Sequence, residues 1–257
     1  RWRNRRGEPP FVAFRASNLH IPELVPLLKS SIVADENLLS ELSALNPRGA
    51  VNGILGAVAW EGDRTSRYFF STSVNNLSVG ESSNAPAISG LDFTLHANQK
   101  GGFMRTDETD GVILQSERWL VQPLELQKVS GGVRWKRGRD SLSVTTDLLE
   151  VRAETIDFST SGSLTWNNRK GPDLNLITRI NSGDLARLHL LVPAGKLPPR
   201  GEKWLRGAFR SGQLKPSGIL VRGNLDDFPF DDGSGTLKGL FEVVDVDLKY
   251  GSKWPIA

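Results

Sequence analysis

The chain has 257 residues, enough to bury a large core in one extended domain or two compact ones. Its 32 Lys and Arg are interspersed with 29 Asp and Glu, so the net charge of +3 carries no nucleic-acid footprint, and only Arg1 to Arg6 forms a basic cluster, read as a tail. The absence of cysteine excludes a disulfide framework and thiolate chemistry, and no run of about 18 apolar residues is present to span a bilayer.

In chain order, the first helical period follows Asp35 as N-cap and carries Leu38, Leu39, Leu42 and Leu45, with Pro47 and Gly49 as the stop. A strand pattern then begins. Three copies of one motif organise the middle of the chain: Gly56-Ala-Val-Ala-Trp60, Gly131-Gly-Val-Arg-Trp135 and Gly162-Ser-Leu-Thr-Trp166. In each, an aliphatic residue and the Trp lie two apart, on one face of a strand, and polar turn residues follow at once. Trp60, Trp135 and Trp166 are expected to form a cross-strand apolar band.

Between the copies the period of two persists in Leu91, Phe93, Leu95 and Ala97, in Leu142 and Val144, in Ile156 and Phe158, and in Leu174 and Leu176. The opposite faces carry Asp92, Thr94, His96, Ser143, Asp157, Ser159, Asp173 and Asn175. One side is apolar and the other wet, with turn chemistry between segments, which predicts an antiparallel meander rather than βαβ units. Periodicity does not distinguish a sandwich, which covers its own apolar face, from a sheet curved into an open trough.

A second helix is predicted from Ser182 or Asp184 through Leu185, Leu188, Leu191 and Val192 to Pro193, and a third through Trp204, Leu205, Ala208 and Phe209 to about Gly212. Further on, Leu237, Gly239, Phe241 and Val243 share one face of an extended segment, whereas Val244, Val246, Leu248 and Tyr250 share the next. The apolar phase flips between Val243 and Val244, which marks a bulge or a tight turn. The order of helix and strands at 35–93 is echoed roughly 150 to 160 residues later, which places a repeat junction near 182–215 of a single region, 1–257.

Catalytic patterns are scarce. His20, His96 and His189 sit in unrelated contexts, and the chain contains no Gly-x-Ser-x-Gly elbow, His-Glu-x-x-His pair or phosphate-binding glycine loop. The strongest acidic cluster is Asp226, Asp227, Asp231 and Asp232 around Phe228-Pro-Phe230. It lacks the ligand order of a calcium loop, and Asp232-Gly233 is a common turn, so a structural turn anchored by Phe228 and Phe230 outweighs a glycosidase pair built on Asp226 and Asp231. No metal, cofactor or catalytic residue is expected.

The stretch Leu220-Val-Arg-Gly-Asn-Leu-Asp-Asp-Phe-Pro-Phe230, the strand ending Leu248-Lys-Tyr250 and the following Trp254-Pro255 resemble the YhdP branch of the AsmA-like envelope proteins. The likeness extends to Leu188–Pro198, to Trp204-Leu205 with Ala208 and Phe209, and to Pro123-Leu124 with Gly132-Val-Arg-Trp135. It implies an elongated, curved antiparallel β-sheet with a few short helices, whose concave side is a hydrophobic groove for phospholipid acyl chains. It also implies a periplasmic location, as a piece of a longer protein anchored in the inner membrane through segments outside this sequence. On that reading the groove candidates are Val133, Trp135, Leu142, Val144, Ile156, Phe158, Leu164, Trp166, Leu174 and Leu176. The alternative is a scaffold for outer-membrane protein assembly or envelope organisation, with the apolar face filled by the chain itself.

Overall fold

A computed structural model describes residues 2–3, 11–24, 44–61, 64–82, 85–118, 120–167, 170–191 and 199–249. Among these, sixteen strands join one sheet in which every pairing is antiparallel. The first eight are β1 (Trp2–Arg3), β2 (Phe11–Ala16), β3 (Leu19–His20), β4 (Arg48–Glu61), β5 (Arg64–Val79), β6 (Ala87–Asn98), β7 (Gly101–Thr109) and β8 (Val112–Gln115). There follow β9 (Leu124–Arg137), β10 (Ser141–Ala153), β11 (Ile156–Asn167), β12 (Gly171–Asp184), β13 (Phe209–Leu214), β14 (Ser217–Asn224), β15 (Thr236–Leu240) and β16 (Val243–Leu248).

Several of these are halves of one long strand. β7 and β8 both lie between β6 and β9, broken at Asp110-Gly111, and β13 and β14 both pair with β12, broken at Lys215-Pro216. β15 pairs with β14 and β16 with β13, and the Lys215 N–H donates to the Glu242 carbonyl at 2.8 Å, so the last two breaks face each other. The phase flip in the sequence near Val243 is therefore an interruption inside one sheet position, where Asp245 takes a positive φ of 52°.

The helices differ in part from expectation. Asp184 Oδ1 accepts from the Ala186 N–H at 2.9 Å and caps a helix as predicted, but Leu185–Leu191 winds as a 3₁₀-helix. The α-helix Pro199–Ala208 ends about four residues early, because Phe209 to Gly212 are taken up by β13 pairing with β16. Of the basic cluster read as a tail, Trp2 and Arg3 pair with Val12 and Phe11. The helix expected after Asp35, apart from Ala44 and Leu45, lies outside the described residues, as do Val192–Pro198, Tyr250 and Trp254-Pro255.

Register decides which residues share a face. Across β10 and β11, Thr146 pairs with Gly162 and Leu149 with Thr160, so β10 spends three residues where β11 spends two. The same extra residue occurs in β4 between Asn52 and Leu55, in β5 between Val74 and Leu77, and in β7 between Thr106 and Thr109. At the bulges of β10, β5 and β4 the apolar residues of the sequence change parity: Val144 gives way to Leu149 and Val151, Phe70 and Val74 to Leu77 and Val79, Val51 to Ile54 and Val58. The extra residue cancels the change, and the apolar residues stay on one side of the sheet.

The other side is wet and closely paired. Asn75 donates to Asp92 and receives a bond from Asn52, Lys128 reaches Glu108 and Glu150, and Arg134 pairs with Asp147. Arg152 and Asp157 pair at 2.7 Å, and Asn181 donates to the second Asp157 oxygen at 2.8 Å.

Two outcomes test this arrangement. Gly162 sits at φ 157°, and a Cβ there would come 2.2 Å from the Asn175 carbonyl oxygen, whereas Gly53 at φ 65° has nothing within 4 Å of a Cβ. Gly162→Ala is expected to cost about 2–4 kcal/mol in urea unfolding and Gly53→Ala about 1 kcal/mol; equal costs would contradict the register. Partial burial opposes ionisation of Asp157, but hydrogen bonds from Asn181 and Arg152, with the charges of Arg152 and Lys128, outweigh it and hold the carboxyl below its ordinary value. The stability it contributes is present above the unfolded value near 3.9 and is lost as pH falls through the lower folded value. Arg152→Gln should move the Asp157 carboxyl titration, followed by NMR, to higher pH and bring acid unfolding on earlier.

Candidate functional site

The hairpins of β9 to β12 place all ten groove candidates on the apolar face. Directly paired residues share a side, and one row runs Trp135, Val144, Leu164, Leu174 across four adjacent strands. The next row towards the hairpin tips is Arg137, Leu142, Trp166, Pro172. On the inner side, Leu176 pairs with Gly162 and Val221, Val133 with Met104, Phe158 with Val151 and Ile180, and Ile156 with Gly183. The face continues beyond the candidates through Met104 and Leu95, Phe93 and Val74, Phe70 and Ala97, to Tyr68, Val58 and Val12.

Coverage of this face is uneven. Leu185, with Leu188 beside it, lies in a buried cluster with Ile180 and Leu214, against which Ile156 and Phe158 pack, so the 3₁₀-helix covers those two candidates. A second cluster of Val112, Leu126, Val129 and Ala153 fills the same flank under β8. The other eight candidates belong to neither cluster.

Among the described residues, side chains of those eight shade one another without a second layer. Ile177, on the wet face of β12, is 57 % exposed, while its neighbours Leu174, Leu176 and Thr178 on the apolar face are half-buried. A flat uncovered sheet would expose both sides alike, whereas bulges crossing the strands bend them. At the rim, Leu142 and Trp166 are more open, at 37 % and 43 %.

The Trp band differs from expectation. Trp135 pairs with Gly102 and Val144, and its ring occupies the space beside the Gly102 backbone. Trp166 pairs with Leu142 and Pro172, and Trp60 with Thr65. The three therefore do not pair with one another; they stand apart along the hairpin-tip edge, because β4, β9 and β11 are not neighbours in the sheet.

The acidic loop is a closed turn. Asn224 caps the short 3₁₀-helix Leu225–Asp227, and Asp232 Oδ1 accepts from the Ser234 N–H at 2.9 Å. Phe230 is buried over Gly223 and Gly235 and anchors it, whereas Phe228, expected as a second anchor, is 54 % exposed and stands edge-on to the Phe230 ring. Packing of one ring already fills the space over both glycines. His96 stacks on Phe103 on the wet face, His189 Nδ1 lies 2.9 Å from the Ala186 carbonyl, and His20 lies at the far end in β3, so the histidines do not converge.

Among the described residues no group of three His, Asp or Glu side chains is placed to hold a metal, and no helix is long and apolar enough to cross a membrane. Glu81, Arg152, Asp157, Arg187 and Asp232 have displaced ionisation, each through wet-face or loop partners: Ser116 lowers Glu81, Asp157 raises Arg152, Glu154 raises Arg187 and Ser234 lowers Asp232. The apolar face itself is electrostatically plain. Sequence reading placed Leu91, Phe93, Leu95 and Ala97 of β6 on the apolar side but missed the first half of β4 and all of β5, because the bulges near Gly53 and Asn76 break the period of two there.

A family model described as YhdP protein matches residues 1–257. No curated protein and no solved structure matches the chain.

Proposed function

Because the chain belongs to the YhdP family, we propose that it works in lipid transfer in the cell envelope, as a passive conduit segment that carries phospholipid between the inner and outer membranes of a Gram-negative cell. The observation that carries this reading is the apolar face of β9 to β12, where eight groove candidates adjoin one another across four strands and, among the described residues, lie outside both buried clusters. Each CH₂ taken out of water contributes about 0.8 kcal/mol, so a sixteen-carbon acyl chain would cost on the order of 10 kcal/mol to expose. A surface that replaces the bilayer along the route removes most of that barrier without nucleotide, metal or covalent chemistry. The reading makes the protein periplasmic and non-enzymatic, held at the inner membrane by segments outside this sequence.

A scaffold role is the second reading, and one observation favours it. Leu240, Phe241 and Val243 are exposed, at 78 %, 54 % and 46 %, where β15 meets β16 at the open edge of the sheet, the kind of edge to which another strand can add.

Photo-crosslinkers at Val144, Leu164 and Leu176, and at their wet-face neighbours Ser143, Thr165 and Ile177, separate the two in cells. The conduit predicts phospholipid adducts at the first three positions and none at the second. Adducts to protein alone at all six would favour the scaffold and sink the conduit.

A further inference from the structure

The two ends of the strands differ in charge. At one end the turns after β5, β8 and β10 carry Glu81, Glu117 and Glu154 beside Arg48, Arg118 and Arg187, of which Arg187 pairs with Glu154 and Arg118 lies in the field of Glu81. At the other end the hairpin tips carry Lys100 between β6 and β7, Arg137 and Arg139 between β9 and β10, and Lys170 between β11 and β12. None of these four has an ion pair among the described residues, whereas Arg105, Lys128, Arg134, Arg152 and Arg187 all do. Asp140 shares the middle tip, and the acidic turn after β14, with Asp226, Asp227, Asp231 and Asp232, ends the series, the Asp226 carboxylate lying beside Gly171.

The cationic end is also the aromatic one. Trp135 and Trp166 stand on the apolar face just inside these tips, and Arg137 lies in the same row as Leu142 and Trp166, so a guanidinium borders the apolar surface directly. The Arg137 N–H donates to the Lys100 carbonyl at 2.8 Å, which holds two successive tips together. Successive hairpin tips along one edge are about 10 Å apart, two strand spacings. Apolar surface, then indole rings, then unpaired cations is the order of chemistries met on passing from hydrocarbon to the phosphate level of a lipid layer.

We propose that this edge is a headgroup rail: the phosphate of a glycerophospholipid rides on Lys100, Arg137 and Arg139 while its acyl chains lie on the apolar face inside Trp135 and Trp166. The inference rests on the conduit reading and adds a side and a headgroup chemistry to it. Lipids are then held in one orientation, with headgroups along the cationic edge and never along the glutamate edge, and diacylglycerol, which has the same chains and no phosphate, is a poor cargo.

The test offers the full chain, with a photo-crosslinker at Leu164, phosphatidylglycerol or the diacylglycerol of identical acyl chains in the same detergent. The expected result is a preference for phosphatidylglycerol of about tenfold that falls to near parity in the triple variant Lys100→Gln, Arg137→Gln, Arg139→Gln, and that persists in Glu81→Gln, Glu117→Gln. Should the triple variant not fold, Arg137→Gln alone serves, with a smaller loss of preference expected. Equal capture of both lipids by the unmodified chain, or a preference that survives loss of the cations, overturns the rail and leaves the conduit standing. Capture of neither lipid overturns both.

Discussion

The constraint on which the structure depends is that side chains alternate along a strand while apolar residues must stay together. A one-residue change of phase throws every later side chain to the other face. This chain changes phase repeatedly, and at each change a strand carries one extra residue, so that Val144 and Leu149, or Val74 and Leu77, end on the same side although they differ in parity. The apolar face is continuous only because the bulges and the sequence shift together. Gly162 shows how little room the arrangement leaves, since no Cβ fits between it and Asn175.

The same bulges account for the site. A bulge bends its strand, and extra residues in β4, β5, β7 and β10 bend neighbouring strands in a common region. Outside, the bend is lined by hydrogen bonds and ion pairs such as Arg134 with Asp147 and Arg152 with Asp157. Inside, the apolar side chains shade one another, and among the described residues the buried clusters lie on the flank beneath Leu185 and Leu188 and under β8. A face kept apolar, bent and open along strands of twelve to sixteen residues fits a long flexible apolar cargo better than a small-molecule site, which would be enclosed.

Much of this was legible in the sequence. The period of two around Leu142, Val144, Leu164, Leu174 and Leu176 placed these residues on one face, and the turns after each Gly-x-x-x-Trp motif gave the hairpins. The Asp184 cap was readable because a short acidic side chain before an apolar run satisfies free N–H groups. What escaped was non-local. Phe209 carries helical spacing from Trp204, but pairing with Leu248 draws it into a strand, and that partner lies 39 residues away. The exposure of Phe228 depends on Phe230 having filled the space first. The unequal charge of the two edges was hidden because Lys100, Arg137 and Lys170 are far apart in sequence and meet only when the hairpins line up.

The central claim is that one face of this sheet is apolar and, over β9 to β12 away from the flank beneath Leu185 and Leu188, open to solvent in the free chain and covered by cargo. Because the sequence has no cysteine, single cysteines at 173 through 178 on β12 can be probed with a water-soluble thiol reagent, with and without phospholipid. The account predicts that 173, 175 and 177 react in both conditions, while 174, 176 and 178 react in the free chain and are protected by lipid. Even-numbered positions that are unreactive without lipid, or equally reactive with it, would contradict the account.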